Sequence, residues 1–290
     1  MRLITFVRDG AIRLGALGPA GSRQVIDLNR ADPSLPSDMT AFLESGASGR
    51  ARAQRALAHP AAAATMGLDE VTLKPPILHP GKIICIGQNY AEHAAESHSA
   101  VSPYPIIFAK YPNSLIAGGD PIVLPKISNQ VDYEGELAVV IGTRARQVSE
   151  TEALAYVGGY APFNDVSARD WQSRTSQWTI GKTFDTFGPM GPVLTTADEV
   201  LDPQNLSIRV SIGGEVLQSS HTSKMIFPVA TLIAYLSSVM TLEPGDIIAT
   251  GTPDGVGAAR TPRRFLRPGD MVRVEIEGLD GLENPVEAET

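Results

Sequence analysis

Two adjacent prolines set the first limit on what this chain can fold into. Leu73-Lys74-Pro75-Pro76 is followed closely by Pro80-Gly81. Neighbouring prolines fit neither a helix interior nor a central strand, because each fixes φ and removes an N–H donor. The chain is therefore expected to divide near Pro75 into a small N-terminal α+β domain, residues 1–75, and a larger one, residues 76–290. In the first, Met1 to Val7 reads as a strand, and Ala11 to Leu17 as its hairpin partner across Arg8-Asp9-Gly10. The Ala-rich stretch Ala41 to Thr65 suits helix.

After the break the texture changes to short β-branched runs broken by Gly and Pro. Lys82 to Ile86, Ile106 to Ala109, Pro121 to Leu124, Glu134 to Ile141 and Gly159 to Phe163 read as strands. Leu206 to Ile212 and Glu215 to Gln218 form a hairpin across Gly213-Gly214. Leu242-Glu243-Pro244-Gly245-Asp246 and Leu266-Arg267-Pro268-Gly269-Asp270 repeat one pattern, a Pro-Gly turn launching a strand. Two helices interrupt: one opened by Ser149 with Glu152 as a capping box and running to Val157, and one over Phe227 to Met240. Many short strands with few helices predict an α+β, β-rich fold.

Charge excludes one broad class. Lys and Arg number 24 against 32 Asp and Glu, a formal charge of −8, which argues against a nucleic-acid partner. No apolar run reaches the roughly 18 residues a membrane helix needs, and the opening residues carry Arg2, Arg8 and Asp9 rather than a signal-peptide core. A cytoplasmic protein with no membrane partner is expected. The lone Cys85, inside Ile83-Ile84-Cys85-Ile86, reads as a core residue. No G-x-G-x-x-G between strand and helix and no Walker loop occurs, so a nucleotide cofactor is not expected.

The chemistry concentrates in a few places. In Asp132-Tyr133-Glu134-Gly135-Glu136-Leu137, Glu134 and Glu136 project from one strand face, about 7 Å apart. Asp165 closes the apolar run Gly159 to Asn164 and can supply a third carboxylate. Three such oxygens suit Mg²⁺, Mn²⁺ or Ca²⁺ better than Zn²⁺; the alternative is a solvated strand face. His93 and Glu96 are three apart and share a face if Tyr90 to Glu96 begins a helix. A carboxylate beside an imidazole orients it for proton transfer near neutral pH, although a surface pair has the same spacing. His59 and His79 precede prolines and read as turn residues, His98 reads as loop, and His221 has no assigned place. Arg169 and Lys182 are candidate anion-binding cations, or surface ones, and Thr250 to Gly257 is a strand running into a Gly-rich loop. Ala94 to Tyr104, mostly small or polar, reads as a mobile lid.

Taken in order, these segments resemble the fumarylacetoacetate hydrolase family. The resemblance rests on Gly87-Gln88-Asn89-Tyr90…His93…Glu96, Asp132-Tyr133-Glu134-Gly135-Glu136-Leu137, Asn164-Asp165…Arg169…Gln172, Gly181-Lys182-Thr183-Phe184-Asp185 and Thr250-Gly251-Thr252-Pro253…Gly255-Val256-Gly257. It implies a mixed β-sandwich roll, a homodimer, and a divalent metal, Mg²⁺ or Mn²⁺, at Glu134, Glu136 and Asp165. It implies a small-molecule oxo-acid substrate met by Tyr90, Arg169, Gln172 and Thr252, with His93, Glu96 and Lys182 catalytic. Gln88 stands where many acylpyruvate hydrolases carry Arg, and the chain is similar to the subgroup acting on 2,4-dioxo-3-deoxy sugar acids. The expected activity is hydrolysis of a C–C bond in a 2,4-dioxo acid to pyruvate and a carboxylic acid. The alternatives are isomerisation or decarboxylation of an unsaturated oxo-diacid, oxaloacetate included, and a non-catalytic metal-binding scaffold.

Overall fold

A computed structural model describes residues 1–19, 21–97 and 99–290. Its centre is the strand Gly135–Ile141, buried along its whole length. It pairs antiparallel with Val157–Asn164 on one side and with Ile247–Ala249 on the other. Burial on both faces explains its near-continuous apolar sequence. Leu137, Val139 and Ile141 pack with Leu232, Ile233 and Leu236 of the helix Val229–Val239. Ala138 and Val140 pack on the other face with Leu3, Leu14, Met39 and Phe42.

These strands lie inside an eleven-stranded mixed sheet that runs from Thr65–Gly67, past the N-terminal hairpin, to the edge strand Ile106–Lys110. A second, five-stranded sheet holds the hairpin Ser207–Ile212 and Glu215–His221, then Met271–Ile276, Leu282–Ala288 and Ile122–Leu124. Its own core is built on Val210, Val272, Val274 and Leu282. The fold is β-rich α+β, as the strand spacing predicts.

Four readings change in three dimensions. The break near Pro75 does not divide the core: Arg2–Arg8 pairs with Leu194–Thr196 in the large sheet, and Met1 and Leu3 share a cluster with Ile83, Cys85 and Phe163. The stretch Ala41 to Thr65 is two helices, Met39–Glu44 and Gly46–Ala58, parted at Ser45 and followed by a single 3-10 turn. The Ser149 capping box does not close. Ser149 Oγ donates to the Glu152 side chain at 2.7 Å, no α-helix follows, and only a 3-10 turn forms over Ala153–Tyr156. Pro228 delays the last helix to Val229, and it ends at Val239, which is exposed, one residue short of the expected Met240.

Candidate active site

Strand pairing assembles the acids. Gly135 faces Asn164 across the ladder, Glu134 N–H donates to Asn164 Oδ1 at 3.0 Å, and Asp165 N–H donates to the Glu134 carbonyl at 2.9 Å. Asp165, the residue after the strand end, thereby meets Glu134 and Glu136, with one oxygen of each carboxylate within 4.8 Å of the others. Gly135 between the two glutamates is required by packing. A Cβ there would stand 2.3 Å from Val210 Cγ2 of the second sheet.

The cluster is buried and densely charged. Lys182 Nζ lies 2.7 Å from Glu134 Oε2 and 2.8 Å from Asp165 Oδ2. Lys110 Nζ lies 2.7 Å from Asp165 Oδ1. Arg169 donates from Nε to Asp132 Oδ2 at 2.9 Å and pairs through Nη1 with Glu134. Burial opposes the charge on Glu134, but Lys182 and Arg169 outweigh it and hold its carboxyl at about 2. Burial likewise opposes the Lys182 ammonium, and the Asp165 and Glu134 carboxylates overcome it, so its pKa rises and it stays charged. Glu136 is the exception. Burial, then the adjacent Asp165 and Glu134 charges, push its carboxyl well above the usual range.

That exception is the test for a metal. Asp132, Glu134, Glu136 and Asp165 face Lys110, Lys182 and Arg169, which leaves one negative charge unmatched. Glu136 accepts from Gly251 N–H at 2.9 Å and makes no ion pair among the described residues. Buried carboxylates with a surplus negative charge and converging oxygens fit a hard divalent cation. Glu134, Glu136 and Asp165 are the residues that would hold it.

Gly251 donates to Glu136 from a backbone that only glycine adopts freely, with φ +99°, and a Cβ there would meet Asn89 Cβ at 2.7 Å. Gly251→Ala is expected to destabilise the protein by about 1–3 kcal/mol and to weaken divalent-cation binding. Urea denaturation and Mn²⁺ titration check the two effects.

A cavity of about 510 Å³ opens above the acids, lined among others by Glu134, Arg169, Gln172, Lys182, His93 and Glu96. Glu136 and Asp165 do not line it and lie deeper, fully buried. The helix Ala91–Glu96 carries the imidazole, whose Nδ1 lies 2.7 Å from Glu96 Oε1. The other Glu96 oxygen accepts from Gly255 N–H at 2.9 Å. A carboxylate at Nδ1 places the ring proton there and leaves Nε2 as the basic nitrogen. Phe108 and Trp178, edge to face at 5.5 Å, form an apolar wall beside Lys182.

The expected residues do not all meet substrate space. Tyr90 is fully buried in the core, bridged by its backbone to Met225, and does not line the cavity. Thr252 does line it, but its hydroxyl donates to the Gly135 carbonyl and accepts from Gln218. Gln172 supports Arg169 at 3.0 Å, and Arg169 Nη2 is buried with no protein partner among the described residues. Of the expected lid, the helix end reaches Glu96, and residues 99–104 form a largely exposed connection. His98 lies outside the described residues. Lys110, Asp132 and Gln218 were not singled out from sequence. For Lys110 the only signal was a cation closing an apolar strand.

The domain described as "Fumarylacetoacetate (FAA) hydrolase C-terminal" matches residues 82–287. The Rattus norvegicus protein named oxaloacetate tautomerase Fahd2a, mitochondrial, is 48% identical over 263 residues, covering 90% of this chain and 83% of the rat protein. A fumarylacetoacetate hydrolase from psychrophilic Exiguobacterium antarcticum superposes with a TM-score of 0.86 at 36% identity over all of both chains. The maleylpyruvate hydrolase of Sphingobium sp. SYK-6, solved with manganese(II) and pyruvate, gives 0.82 at 32% identity, again over all of both chains. The rat protein is named as mitochondrial, which differs from the cytoplasmic expectation for this chain. No helix among the described residues is long and apolar enough to cross a membrane.

Proposed function

The chain belongs to the fumarylacetoacetate hydrolase family, and within it we propose an enzyme that interconverts the keto and enol forms of a 2-oxo diacid such as oxaloacetate. The observation that carries the reading is the His93–Glu96 pair, pinned by Gly255 and opening on the same cavity as Glu134 and Lys182. The 48% identity to an oxaloacetate tautomerase supports tautomerisation over the C–C hydrolysis expected from sequence.

Mg²⁺ or Mn²⁺ held by Glu134, Glu136 and Asp165 would supply Lewis acidity toward the 2-oxo-carboxylate end. The rest falls to the chain's own groups. Arg169 lines the cavity, and its Nη2, unpartnered among the described residues, would donate to the substrate's carboxylate. His93 Nε2 takes a proton from C3, the C–H electron pair forms the C2–C3 double bond, and the carbonyl pair moves to the 2-oxo oxygen. Two Lys182 N–H groups go to Glu134 and Asp165, and the third can hydrogen-bond that oxygen. The proton then passes from His93 to the oxygen. The reverse sequence converts enol to keto. Lys182, held charged, is not the base.

The test follows decay of enol-oxaloacetate by ultraviolet absorbance, with Mg²⁺, with Mn²⁺ and with chelator, beside pyruvate release from acylpyruvates. Metal-dependent acceleration of enol decay, with little pyruvate release, is the expected result. Efficient pyruvate release without acceleration of enol decay would restore the hydrolase. That second reading is favoured by one observation: the same His–Glu pair could activate a water. Assembly as a homodimer belongs to the proposal, and sizing chromatography reads it.

A further inference from the structure

We propose that Arg263 reads a second carboxylate on the substrate and so selects 2-oxo diacids over 2-oxo monoacids. The inference rests on the oxo-acid reading above. Three cations line the cavity: Arg169, Lys182 and Arg263. Arg169 is engaged by Asp132 and Glu134, and Lys182 by Glu134 and Asp165. Arg263 is exposed and has no acid partner among the described residues, whereas its neighbour Arg264 is held by Asp270 and Arg260 donates to the Leu217 carbonyl.

The loop bearing Arg263 is anchored on the site. Gly257 N–H and Ala258 N–H donate to Asp132 at 2.8 and 2.9 Å, and Asp132 is the acid that accepts from Arg169. Arg264 N–H closes back on the Gly257 carbonyl at 3.0 Å, and Leu266 N–H donates to the Val131 carbonyl at 2.8 Å. One buried carboxylate thus sets both the inner arginine and the base of the outer one. The acids lining the cavity are Glu96 and Glu134, each already paired, so neither competes for Arg263. Apart from His93, which Glu96 holds, the other polar side chains of the lining are neutral amides and hydroxyls, Gln88, Gln130, Ser173 and Thr175 among them. An anion at this outer wall therefore meets one planar, unpaired fork, which matches a carboxylate in two-point geometry.

Calorimetric titration with malate and with 2-hydroxybutanoate, in Mg²⁺, tests the assignment without turnover. The two ligands share a 2-hydroxy-carboxylate end and differ in the far carboxylate. The parent should prefer malate by about 10- to 100-fold. Arg263→Gln and Arg263→Glu should remove the preference and leave 2-hydroxybutanoate unchanged. In the enol-oxaloacetate assay, Arg263→Gln should lower kcat/KM by the same factor through KM. A parent that binds neither ligand or both alike, or a preference that survives both substitutions, overturns the proposal and leaves a solvated surface arginine. An Arg263-dependent preference in a protein that turns over no oxo acid supports the carboxylate reader and removes the catalytic reading instead.

Discussion

Glu136→Gln is expected to abolish turnover and divalent-cation-dependent thermal stabilisation together, while the metal-free protein melts no lower than the parent. The asymmetry comes from Glu136 being the acid of the triad with no cationic partner among the described residues. Its carboxyl is raised above the ordinary 4.5 by burial and then by the Asp165 and Glu134 charges. Between those values the folded protein holds a proton that the unfolded chain releases, so metal-free stability falls as pH rises. A Gln carries no charge to desolvate, and the slope should flatten in the variant. Loss of a Lewis acid worth several kcal/mol corresponds to about 10³-fold or more in rate. Glu134→Ala is less clean. It strips Lys182 and Arg169 of a buried partner, a change that costs about 3–5 kcal/mol in such settings. Thermal melts in chelator at about pH 5 and about pH 8, then with Mg²⁺, separate the effects. Undiminished stabilisation of the Gln variant by Mg²⁺ would remove Glu136 from the ligand set.

The acids were legible in sequence because their logic is local. Glu134 and Glu136 stand two apart at the start of an extended run, Glu134 one residue before the strand Gly135–Ile141, and Asp165 announces itself by ending an apolar run. Some of the groups around them are harder to see. Lys110 reaches Asp165 across 55 residues, and Asp132 takes backbone N–H groups 125 and 126 residues away. For Lys110 the local pattern offers only a cation closing an apolar strand, and for Asp132 it offers nothing. Tyr90 shows the converse: its neighbours His93 and Glu96 face the cavity, but it is the residue before the helix, and the bridge to Met225 accompanies its burial in the core. Ser149 and Glu152 carried the right spacing for a capped helix, yet their side chains bond each other and the segment tightens to a 3-10 turn. Short-range signals placed strands and acids. Partners that meet only once distant segments pack were beyond them.

His93→Ala is expected to slow keto–enol interconversion by about 10²–10⁴-fold, the usual worth of a positioned proton-transfer group. Decarboxylation of oxaloacetate should fall much less. Tautomerisation requires a base at C3, whereas decarboxylation breaks a C–C bond and needs only an electron sink at the 2-oxo group, where Lys182 supplies a fixed positive charge. Glu96→Gln should fall between parent and His93→Ala. The amide keeps one hydrogen bond toward Nδ1 or Gly255, but it no longer stabilises the imidazolium that forms as Nε2 takes the proton. Both reactions are read on one substrate, enol decay by absorbance and pyruvate formation by coupled assay, with the metal held constant. Equal losses would mean that His93 shapes the cavity wall rather than moving a proton. A parent that releases pyruvate from acylpyruvates, with that release falling by the full factor in His93→Ala while enol decay is untouched, would assign the pair to water activation and return the enzyme to C–C hydrolysis.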